Sequence, residues 1–106
     1  MQYFALDKLI NLYDGYRQVF VVNRKEILLI QEQGKRYAIQ ASCPHKHWPL
    51  FGAAIQNTTI QCSKHGWAFD LRTGKAANDC AQCDIKTYII SYEDNTIGIV
   101  IPNSVP

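Results

Sequence analysis

Four side chains stand out by type and spacing. Cys43 and His45 lie two apart in CPHKHWPLF, Cys62 and His65 lie three apart in CSKHGWAFD, and sixteen residues separate His45 from Cys62. Two thiolates with two imidazoles make a soft donor set suited to zinc or to an iron–sulfur cluster, whereas hard cations would want carboxylate oxygens. The distribution separates these two candidates. A zinc finger of the usual type keeps both cysteines on one knuckle and both histidines on the other. Here each stretch brings one cysteine and one histidine. That arrangement lets the cysteines hold one iron and the histidines the second iron of a [2Fe–2S] centre with mixed ligation.

The elements that must hold these residues read as short strands. Residues 16–22 (YRQVFVV), 26–33 (EILLIQEQ) and 35–41 (KRYAIQA) are rich in β-branched and aromatic side chains and form a meander. Gln33, Gly34 and Lys35 supply one tight turn and Asn23 with Arg24 another. TTIQC (58–62) and WAFDL (67–71) are strands beside the second cysteine, and RTGK (72–75) is the turn that ends the latter. KTYIISYE and TIGIVI form a closing hairpin across Asp94 and Asn95. LDKLINLY (6–13) has the one plausible helical spacing, and Asp14-Gly15 directly after it limits it to a turn or short helix. The expected fold is mostly β, a small sandwich or open barrel with two ligand-bearing loops at one end. There is no interdomain linker, low-complexity tract or internal repeat.

Composition bounds the function. At 106 residues the chain is long enough for one core and too short for two, so residues 1–106 are expected to form a single domain. A hydrophobic fraction of 47% with mixed charge belongs to a globular chain rather than a disordered one. A net charge of +2, without a basic run, argues against nucleic acid. No apolar run approaches the roughly 20 residues of a membrane span, and MQYFALDKLI lacks the charged and apolar regions of a signal peptide. The expectation is a soluble, cytoplasmic protein, in which the four cysteines point to metal binding rather than to a disulfide scaffold.

CPHKHWPL followed by CSKHGWAFDLRTG resembles the Rieske [2Fe–2S] proteins, in particular the small ferredoxins of ring-hydroxylating oxygenase systems. The likeness includes Pro44, Pro49-Leu50, Gly66-Trp67, Phe69-Asp70 and Thr73-Gly74, and it continues into CDIKTYIISYEDNTIGIVI, similar to the family's closing loop and hairpin. It departs at His47, where the family usually has glycine, and at Trp48, where a small residue is common. The resemblance implies one [2Fe–2S] cluster per chain on Cys43, His45, Cys62 and His65. It also implies a monomeric carrier of single electrons from a flavin-dependent ferredoxin reductase to a terminal oxygenase or hydroxylase, with no substrate conversion of its own. Two other roles accommodate the same residues: a small subunit held on the large subunit of an assimilatory nitrite reductase, and a zinc-stabilised interaction module.

Several neighbours of the four ligands carry further expectations. His47 reads as an exposed histidine rather than a fifth ligand. Trp48 reads either as a docking anchor or as a side chain folded back on the core. Trp67 and Phe69 read as the wall beneath the cluster. They also stand where high-potential members of the family carry a serine and a tyrosine that donate to cluster sulfurs, so the resemblance implies a low potential. Cys80 and Cys83 lack the βαβ setting of a thioredoxin-like pair and read as reduced thiols. Lys46, Lys64, Arg72 and Lys75 cluster around the ligand stretches and suggest a basic rim.

Overall fold

The computed structural model describes residues 2–43, 48–62, 67–77 and 84–101. Among the described residues, nine strands are arranged in three sheets of three. β2 (Arg17–Val22), β3 (Lys25–Glu32) and β4 (Lys35–Gln40) form the antiparallel meander read from the sequence. Its two turns have two residues each, between the pairs Val22↔Lys25 and Glu32↔Lys35. Asn23, Arg24, Gln33 and Gly34 all take positive φ there, from 51° to 76°. Such primed turns match the right-handed twist of the strands they join.

β3 is buried on both faces, which explains its unbroken apolar run. Leu28 and Ile30 point into one core cluster, and Ile27 and Leu29 into another. The second cluster is roofed by β1 (Gln2–Lys8), β9 (Thr96–Ile101) and β8 (Ile89–Glu93), in the order β1-β9-β8, through Ile97 and Ile99 with Phe4 and Leu6. The first cluster is covered by β5 (Ala54–Gln56), β6 (Thr59–Gln61) and β7 (Ala68–Asp70), through Ile60 and Phe69. The meander is therefore the middle layer, with the closing sheet on one side and the cysteine-bearing hairpins on the other.

The fold is mostly β with open sheets, as expected. Two strands depart from the sequence reading. The stretch 6–13 begins as the end of β1 and continues into a single 3-10 turn, Leu9–Asn11. A bulge between Ala5 and Asp7 in the pairing with β9 breaks the period-two alternation that would have marked a strand. β5 has three residues, too few for any periodicity to register.

Candidate metal centre

Each of the two described cysteines ends a hairpin, and the two hairpins have equivalent registers. In the first, the Leu50 N–H donates to Ala41 O at 2.8 Å, Ser42 bridges Pro49, and the Cys43 N–H donates to Trp48 O at 2.7 Å. In the second, Ile60 pairs with Phe69, Gln61 with Ala68, and the Cys62 N–H donates to Trp67 O at 2.7 Å. Both cysteines thus stand where the last ladder bond closes, with four residues before a tryptophan in each case. The sequence holds this as Cys-x4-Trp, twice. Spacing read only between cysteine and histidine overlooks it.

Cys43 and Cys62 are 0% and 1% exposed and belong to one apolar cluster with Leu50, Ile60 and Phe69. Phe69, at 0% exposure, and the partly buried Trp67 pack there too, as the wall reading requires. His45, His65, His47, Lys46, Lys64, Cys80 and Cys83 lie outside the described residues. The buried pair of sulfur donors at matched hairpin ends, screened from water by aliphatic and aromatic side chains, fits an iron–sulfur centre by donor chemistry.

Three sets of contacts hold the hairpins in place, and those of Arg17 and Gln40 reach partners 34 to 46 residues away in sequence. Arg17 on β2 donates from Nη1 to Phe51 O at 2.8 Å and to Ala53 O, fixing the turn that leads from the first cysteine hairpin into β5. Gln40 accepts from the Lys86 N–H at 2.9 Å and donates to Ser42 O at 2.8 Å, next to Cys43. Gly74, at φ +81°, lies so close to Ile85 that an added Cβ would stand 2.1 Å from its carbonyl oxygen, and the Ile85 N–H donates to Gly74 O at 2.9 Å. Segment 84–88 is thereby tied both to β4 and to the extension of the second hairpin. Arg17 and Gln40 carry no local motif, and only Gly74 sits in a stretch that the sequence reading singled out.

The basic-rim expectation is reduced by one member. Arg72 is bound through Nε and Nη2 to Asp70 at 3.2 and 3.0 Å, and its hydrogen bonds hold the Asp70 carboxyl below the ordinary carboxylate range. Lys75 is exposed. Trp48 is 41% exposed and Phe51 49%, so the flank of the first hairpin presents aromatic surface. The sequence reading missed Phe51.

Residues 2–89 match the family model described as Rieske [2Fe-2S] domain. The chain belongs to the Rieske [2Fe–2S] domain family. Its cofactor is accordingly a [2Fe–2S] cluster. Among relatives, this Rieske chain is 36% identical over 73 residues to the ferredoxin component of the naphthalene 1,2-dioxygenase/salicylate 5-hydroxylase systems of a Ralstonia species, covering 69% of this chain and 70% of that one. It is 31% identical over 74 residues to the ferredoxin component of the alkene monooxygenase system of Xanthobacter autotrophicus, covering 69% of this chain and 61% of that protein's length. The solved structure of the Sphingomonas yanoikuyae B1 ferredoxin superposes with a TM-score of 0.81 at 25% identity, over 95% of this chain and all of that one. Among the described residues, no helix is long and apolar enough to cross a membrane.

Proposed function

We propose that this Rieske chain is a cytoplasmic, monomeric one-electron carrier, built as one domain over residues 1–106. It passes electrons from a flavin-dependent ferredoxin reductase to a terminal oxygenase or hydroxylase. In this reading Cys43 and Cys62 hold one iron and His45 and His65 the other. The observation that carries it is the pair of equivalent hairpins, each delivering a buried cysteine to one apolar cluster. Kinship with ferredoxin components of oxygenase systems supports the direction of electron flow.

When bound, the cluster stores and releases one electron. The chain's own residues do the rest. Leu50, Ile60 and Phe69 keep water from the cysteine side, so the sulfur donors sit in a low dielectric. The backbone bonds from Cys43 and Cys62 to the two tryptophan carbonyls hold the donors in register. Trp48 and Phe51 offer exposed aromatic surface beside the first hairpin, the kind of side chain that anchors a docked partner.

Stopped-flow mixing of the reduced protein with a substrate-loaded Rieske oxygenase tests the role. Reoxidation should follow a bimolecular step, and product should form in proportion to the electrons delivered. Product formed by this protein with no oxygenase present would overturn the carrier reading. Permanent co-purification on a large reductase subunit would replace it with the subunit role.

A further inference from the structure

Lys25, at the start of β3, and Lys86, in the segment before β8, converge on one flank of the molecule. Together they line two adjoining surface hollows of about 300 and 250 Å³. Gln40, Ser42 and Tyr88 line the first hollow, and Tyr88, Ile89 and Val100 the second. The Lys86 Nζ stands 5.6 Å from the centroid of the Tyr88 ring. The neighbouring Lys25, through hydrogen-bond geometry and then through charge, holds the Lys86 amine below the ordinary lysine range. Glu26 also lines the first hollow. The ion pairs among the described residues are Arg17–Glu32 and Arg72–Asp70, so neither lysine has a carboxylate partner there.

Two like charges side by side repel, and the same arrangement attracts an anion placed between them. We propose that Lys25 and Lys86 form a socket for a carboxylate on a docking protein, an aspartate or glutamate whose apolar neighbour covers Ile89. A free carboxylate is the poorer occupant, because the hollows are open and two solvated ammoniums hold a lone anion only weakly. A protein segment adds apolar burial, and the surface for it is present. Ile89 is 58% exposed, with Val100 and Ile101 beside it. The placement is also apt, since Gln40 lines the hollow and donates to the carbonyl of Ser42, the residue before Cys43. The inference goes beyond the carrier role and does not depend on which partner supplies or takes the electron.

The full, cluster-loaded chain is reductively methylated with 13C-formaldehyde and an amine–borane hydride donor, which keeps each lysine charged and gives it an NMR signal. The probes are N-acetyl-Leu-Glu-Leu amide, the same peptide with glutamine in place of glutamate, and inorganic phosphate. The Lys25 and Lys86 signals should move together on one saturation curve with the glutamate peptide, while Lys35 and Lys75 stay still. Lys86→Ala should weaken that binding by roughly threefold to tenfold, read at Lys25, with an unchanged circular dichroism spectrum. Equal shifts at all lysines, an equally effective glutamine peptide, or phosphate acting as strongly as the glutamate peptide would each overturn the proposal. Cluster absorbance read on the same samples separates a failed socket from a failed cluster.

Discussion

Gly74→Ala should be among the most damaging single-methyl additions in the molecule, for two separable reasons. At φ +81° the residue occupies the left-handed region, where a Cβ costs about 1–2 kcal/mol. The added Cβ would also stand 2.1 Å from the carbonyl oxygen of Ile85, where a carbon–oxygen contact needs about 3.3 Å. Relieving that contact moves segment 84–88 by about 1 Å and breaks the 2.9 Å bond from the Ile85 N–H to Gly74 O, a further loss of about 0.5–1.5 kcal/mol. The total is about 1.5–3.5 kcal/mol. Gly34→Ala is the control: its φ is +76°, and an added Cβ there meets nothing within 4 Å, so it carries the conformational cost alone. Urea midpoints from far-ultraviolet circular dichroism, read with a common slope, should place Gly74→Ala below Gly34→Ala by about 0.5–1.5 kcal/mol. Equal midpoints would refute the steric part of the argument. A Gly74→Ala protein as stable as the parent would refute both parts.

Three further outcomes follow from the site and its supports. The midpoint potential should lie near the low end of the Rieske range, about −150 mV, because Trp67 and Phe69 replace the hydroxyl donors of high-potential relatives. A voltammetric midpoint above zero would contradict this. Phe69→Tyr adds a hydroxyl inside the cluster of buried side chains that includes both cysteines; if a cluster sulfur accepts it, a net bond of about 0.5–1.5 kcal/mol raises the potential by roughly 20–65 mV. A fall in potential would show that the cluster's surroundings are misread. Asp7 accepts hydrogen bonds from Asn11 Nδ2 at 2.8 Å and Tyr16 Oη at 2.6 Å, which hold its carboxyl below the ordinary range. Its contribution is complete above the unfolded pKa of about 3.9 and is lost as pH falls through the lower folded value. Asp7→Asn should therefore flatten the acid limb of a stability–pH curve, and an unchanged limb would remove Asp7 from the account.

The meander and closing hairpin were legible because their strands carry dense β-branched and aromatic runs and their turns carry residues that tolerate positive φ: Asn23, Gln33, Gly34 and Asp94. β1 was not, because its bulge shifts the alternation out of phase, and three-residue β5 has no pattern to detect. The soft donor set could be read from residue type alone. The matched hairpins behind it became evident only once the two Cys-x4-Trp stretches were seen to close with the same bond. Arg17 and Gln40 act through contacts spanning tens of residues, and such pairings leave no mark in a local window. Trp48 and Phe51 illustrate a different limit. An aromatic side chain beside a ligand looks the same in sequence whether it packs or protrudes, and their exposure distinguishes the two.

The central claim is the cluster and its ligands, and iron and acid-labile sulfide analysis of the purified, reconstituted chain tests it most directly. The account predicts two irons and two sulfides per chain, with both lost in Cys43→Ala and in Cys62→Ala. One zinc per chain with no sulfide would contradict it.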